Sequence, residues 1–135
     1  MSDLAAFLLA RIGEDEAAAR AASEGPWFQD GTAIRGQPRL YAPSAGPTLV
    51  VTHTWSTEAA HILRHDPVRV LREAEAKRKI IGEYDEFRAE VNRPDEHAGA
   101  GVTTGAKELR FAVRCLAAIY ADHAEYEAEW RPAQL

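Results

Sequence analysis

Between Trp27 and Thr54 the chain breaks into short apolar clusters punctuated by Gly and Pro, while long helical patterns run on either side. That order constrains the fold more than any other feature. Trp27-Phe28, Leu40-Tyr41 and Thr48–His53 read as two or three short strands, separated by turn chemistry at Asp30-Gly31 and across Pro43-Ser-Ala-Gly-Pro47. Thr48, Val50, Val51 and Thr52 are β-branched, which makes the last strand the firmest. A sheet of this size is marginal alone and needs helices against it. No strand–helix alternation of βαβ spacing occurs, so the expected class is α+β: four or five helices packed on a small antiparallel sheet over 27–53.

The flanking helices carry their own start and stop signals. Leu4, Leu8 and Ile12 recur every four residues with Phe7 beside them, predicting a helix over 3–23 that Ser2 or Asp3 caps and Gly25-Pro26 ends. A short helix over 58–65 gives way to Asp66-Pro67, an N-cap residue followed by Pro at the first helical position, so a new helix is expected over 67–91. Glu73→Lys77 and Glu75→Lys79 are spaced as i,i+4 ion pairs on it. Pro and Gly between 93 and 105 suggest a mobile loop. From Leu109 to Tyr120 only Arg110 and Arg114 are polar, so the helix expected over 106–121 is apolar nearly all round, either central in the core or shared with a second chain. Asp122 and Glu125 have the spacing to cap a last short helix over 123–130, stopped by Pro132.

A length of 135 residues fits one domain spanning 1–135. The formal net charge of -5 argues against broad nucleic-acid binding, which needs a basic footprint. No apolar run approaches the roughly 20 residues of a membrane span. Cys115 stands alone and has no partner for an internal disulfide, in keeping with a reducing, cytoplasmic setting.

Among chemical candidates, His61 and His65 stand first. Two His at i and i+4 share one helical face and can reach one divalent transition metal, with Asp66, His53 or His123 as further ligands. Ile62 stands where the zinc-protease pattern has Glu, so that pattern is broken. Lys77 lies roughly 40° from Ile81 on the helical wheel, toward the apolar face. With Arg78 and His123 it is the expected contact for a small anionic ligand, the competing role being a stem that covers apolar surface. Arg64, Arg69, Arg72, Lys77, Arg78 and Lys79 form a basic cluster that interspersed acids partly neutralise. Gly99-x-Gly101-x-x-x-Gly105 lacks the Gly-Lys-Ser/Thr ending of a phosphate loop. Cys115 and His123 are eight residues apart, about 12 Å along one straight helix, so they meet only if the break at Asp122 folds the chain back; the expected role of Cys115 is a buried small hydrophobe.

Glu24-Gly-Pro-Trp27, Ala60-His-Ile62, His65-Asp-Pro67, Val70-Leu-Arg-Glu73, Glu75-Ala-Lys-Arg78, Tyr120-Ala-Asp-His123, Tyr126 and Trp130-Arg-Pro132 together resemble a family of small actinobacterial proteins of unknown function, also met in their phages. The resemblance covers all but residues 30–55 and 93–105. It implies no established reaction, cofactor or catalytic residue, and suggests an accessory role in mobile-element biology. The function expected from residues and resemblance together is a non-enzymatic binding or interaction protein, forming a homodimer through the 106–121 helix. The alternative is a small metal-dependent hydrolase using His61 and His65; no complete catalytic constellation can be assembled for it from the sequence.

Overall fold

The structure, a computed structural model, describes residues 1–92 and 100–133. The helices are α1 (Asp3–Ala21), α2 (Ser56–Arg64), α3 (Pro67–Val91) and α4 (Ala100–Ala118), and the strands are β1 (Phe28–Asp30), β2 (Ala33–Pro38) and β3 (Pro47–Val51). Short 3-10 turns occupy Pro43–Ala45 and Ala128–Trp130. The class is α+β, with one antiparallel sheet of strand order β1-β2-β3 inside the expected stretch. No helix among the described residues is long and apolar enough to cross a membrane. The chain resolves into two compact units, one of Met1–Gly13 with Glu75–Leu135 and one of Glu14–Ala74.

In the first unit the apolar stripe of α1 is buried as its spacing requires: Leu4, Leu8 and Ile12 are 5%, 0% and 1% exposed. Ser2 begins the helix, its Oγ accepting the Ala5 N–H at 3.1 Å. Ile81 and Tyr84 of α3 and Val113 and Ala117 of α4 are also buried. Two expectations are corrected here. First, α4 starts at Ala100 rather than 106, so the last part of the expected 93–105 loop is helical; residues 93–99 lie outside the described ones. The reason is packing. At Gly105 a Cβ would lie 2.9 Å from the Phe87 ring, so Gly, a poor helix former, sits where α4 closes on α3. The core does not enclose α4 on every side, since Val113 and Ala117 are buried while Phe111 is exposed.

Second, the expected 123–130 helix is replaced by tight turns and one 3-10 turn. His123 N–H bonds the Tyr120 carbonyl and Tyr126 N–H the His123 carbonyl, both three residues back, at 3.0 Å each. Arg114 of α4 then donates to the carbonyls of Glu129, Trp130 and Arg131 at 2.8, 2.9 and 2.6 Å. A side chain thus satisfies the carbonyls at the end of this segment.

The second unit holds the sheet. A two-residue connection joins β1 to β2, with Phe28 opposite Arg35 and Gln29 opposite Ile34. Between β2 and β3, Arg35 faces Leu49 and Ile34 faces Val51, so Val50 forms a bulge. Ile34 and Gly36 turn inward and are buried, whereas Phe28, Arg35 and Leu49 line up across all three strands on the outer face. α2 packs beside β1 with Ala59 buried.

Candidate functional site

The second unit is organised around one carboxylate. Asp66, 7% exposed, precedes α3, and its Oδ1 accepts the Arg69 N–H at 3.1 Å as an N-cap. Its Oδ2 accepts the Trp27 N–H at 3.0 Å, tying the segment before β1 to the start of α3. Gly25 is required at this junction, because a Cβ there would stand 2.8 Å from Val68 Cγ2 and 3.2 Å from Asp66 Oδ2. The same segment closes on β2. Gln37 N–H donates to the Glu24 carbonyl at 2.8 Å and Gln37 Nε2 to the Pro26 carbonyl at 2.9 Å. At Gly36 a Cβ would meet the Glu24 carbonyl oxygen at 2.8 Å. Gly-Pro-Trp and Asp-Pro are thus two halves of one joint, and Gly36 and Gln37, which the sequence did not single out, complete it.

Outside that joint the unit presents apolar surface. Phe28 and Leu49 flank Arg35 on the outer sheet face, and Arg35 Nε holds Asp30 Oδ2 at 2.8 Å, which keeps its charge occupied within the sheet. In the β2–β3 connection Leu40 is 91% and Tyr41 80% exposed, the Tyr41 hydroxyl accepting from Arg39 at 2.9 Å. Trp55 is 73% exposed and meets the His53 ring edge-on at 5.8 Å.

At the end of α2 the expected metal pair is close: the rings of His61 and of His65, the residue after the helix, lie 4.6 Å apart, both on the surface. Among the described residues no group of three or more His, Cys, Asp or Glu is placed to hold an ion. His53 is occupied with Trp55, and Asp66 spends both carboxylate oxygens on backbone N–H groups. His123 belongs to the first unit.

There it meets a different set of partners. Arg11, 7% exposed, points its Nη1 at both nitrogens of His123, the Nδ1 contact being 2.8 Å, and donates to Glu125 Oε2 at 3.0 Å. Glu125 N–H also donates to His123 Nδ1, at 3.1 Å. A guanidinium only donates, so a His123 ring nitrogen is the acceptor in this contact. Phe7 gathers His123, Tyr126 and Trp130 at ring-centroid distances of 5.7, 6.0 and 5.0 Å, with Tyr120 at 6.5 Å. The residues of the Tyr120–Pro132 signature therefore dock the end of the chain on α1. Lys77 is half-buried with Nζ 5.7 Å from the centre of the Tyr120 ring. Its expected partner Glu73 is taken by Arg69 at 2.7 Å, whereas Lys79 does pair with Glu75 at 3.0 Å. Arg78 is exposed on α3, one residue on from Lys77. Cys115 is half-buried on α4.

No curated protein and no solved structure matches the chain. Of the segments quoted from the sequence, Glu24–Trp27 and Asp66 build the joint of the second unit, and Tyr120, His123, Tyr126 and Trp130 that of the first. Across residues 1–132 the sequence matches a family of unknown function, DUF6221, and the chain belongs to that family.

Proposed function

We propose that the protein is a non-enzymatic accessory binding protein that engages a protein partner through the outer face of its sheet and the adjoining 39–41 segment. One observation carries the reading. Among the described residues, five of the large hydrophobic side chains left exposed, Phe28, Leu40, Tyr41, Leu49 and Trp55, fall within 28 residues of the second unit. Exposed aromatic and aliphatic residues gathered on a short sheet and its connections suit recognition by burial against another surface. Self-association is the second part of the reading. Phe111 and Cys115 on α4 and Ile119 just past its end recur every four residues, with Phe111 and Ile119 52% and 59% exposed. That stripe suits a symmetric homodimer. The hydrolase alternative rests on the His61–His65 pair alone and ranks below binding.

The test is a photo-reactive residue placed at Leu49 or Ile119 of the full chain in its host cells, with Glu75 as a control position. Discrete adducts from Leu49 that disappear on Phe28→Ser support the sheet face, and an Ile119 adduct of twice the chain mass supports the dimer. Labelling from Leu49 no stronger or more discrete than from Glu75 would remove the binding reading.

A further inference from the structure

In the first unit α3 and α4 close at Phe87 and Gly105, and beside that contact they leave a cavity of about 360 Å³. Tyr84 and Arg88 line it from α3, one turn apart, and Lys107 and Arg110 line it from α4. Val91 and Ala106 form an apolar wall, and Asn92 adds a polar edge. Among the described residues no acidic group lines it, and none of the three cations takes part in an ion pair or a side-chain hydrogen bond. In a chain with 21 Asp+Glu against 16 Lys+Arg, this concave wall reverses the prevailing sign. Arg88 sits in the last turn of α3, where the helix dipole favours a cation. That accounts for one charge only. Lys107 and Arg110 lie mid-helix in α4 and have no terminus to complement.

Three like charges around one cavity repel unless an anion sits among them. Two guanidiniums and an ammonium supply a fork geometry and a point charge suited to phosphoryl oxygens. The cavity is at the small end of the range for organic ligands, roughly 300–1,000 Å³, and larger than a bare oxyanion needs. We propose that it binds a small organic phosphate monoester, with Arg88, Lys107 and Arg110 on the phosphoryl group and Val91 and Ala106 against the organic part. Nothing in this site involves the sheet face, so the two proposals fail independently.

Calorimetric titration of the full chain at low salt tests it with three probes: adenosine monophosphate, glucose 6-phosphate and inorganic phosphate. One of the two esters is expected to bind saturably and at least about tenfold more tightly than inorganic phosphate, and the stronger ester identifies a nucleoside or a sugar as the organic part. Arg110→Gln, at an exposed position that does not threaten the fold, should weaken that ester about tenfold or more. Arg72→Gln removes the same charge elsewhere and should leave binding unchanged. The proposal is overturned if neither ester saturates by about 5 mM, a weak-binding limit. It is equally overturned if inorganic phosphate binds as well as the esters, or if Arg110→Gln and Arg72→Gln weaken binding alike.

Discussion

The two units are stabilised in different ways. In the first, Leu8, Ile12, Ile81 and Val113 are fully buried, and aromatic rings close the core around Phe7. In the second, Ile34 is the one large hydrophobic side chain that is fully buried among the described residues; Ala19, Ala59, Pro67 and Ala74 are the other buried apolar side chains. A thin core gives little hydrophobic stabilisation, so the second unit depends on directional bonds at Asp66, Gln37 and Trp27. It also leaves its larger apolar residues outside. A unit built this way keeps its exposed sheet face in place by hydrogen bonds and close glycine packing rather than by bulk burial.

The comparison is tested most severely at Phe7. Phe7→Ala removes the ring that His123, Tyr126 and Trp130 share and should cost about 3–5 kcal/mol, a large part of a small domain's total. Urea denaturation measures the loss, and hydrogen exchange should show protection disappearing first from residues 119–133. A cost below about 1 kcal/mol would mean that the rings around Phe7 do not hold the tail.

Asp66→Ala should cost less, about 2–3 kcal/mol, because it deletes a cap and leaves the Trp27 N–H without its acceptor. Exchange should rise at Trp27 and Arg69 while 119–133 stay protected. Asp66→Asn keeps one carbonyl oxygen and should recover part of the loss. If Asp66→Ala exposes the 119–133 amides as strongly as Phe7→Ala, the distinction between the two modes of stabilisation collapses.

What could be read in the sequence was local. Ser2 as a cap, Asp66-Pro67 as a helix start and the β-branched run of β3 each depend on residues within a few positions of one another. Gly36 depends on Glu24, and Arg11 on His123 at a separation of 112 residues, so no window along the chain reveals either need. The start of α4 is hidden in the sequence because Gly105 reads as a breaker, and its need comes from Phe87 of α3. The Asp122–Glu125 spacing that suggests a last helix is visible locally, while the reach of Arg114 to the 129–131 carbonyls is not. The same holds for the candidate surfaces. His61 and His65 were legible as a pair, but the Phe28–Arg35–Leu49 row exists only through strand register, and the Arg88–Lys107–Arg110 cavity only through the pairing of α3 with α4.

The smallest expected effect also belongs to the first unit, in the tail that Phe7 anchors. Glu127 has its carboxyl pushed above the ordinary range, chiefly by sharing a hydrogen bond with Glu129, then by desolvation and by repulsion from Glu129 and Asp3. A carboxyl raised on folding stabilises the fold fully below its unfolded value, near 4.3, and that contribution is lost as pH rises through the higher folded value. At neutral pH the ionised Glu127 therefore works against the tail. Glu127→Gln keeps a donor for Glu129 without the charge, so its melting temperature should equal or slightly exceed that of the parent at about pH 7, and the difference should vanish near pH 3.5. High salt should shrink the neutral-pH difference, since the group is fully exposed and its repulsion is screened. A difference that persists unchanged from neutral pH to acid would assign the effect to lost packing. The tail would then be governed by contacts alone, sharpening the contrast with the polar joint at Asp66.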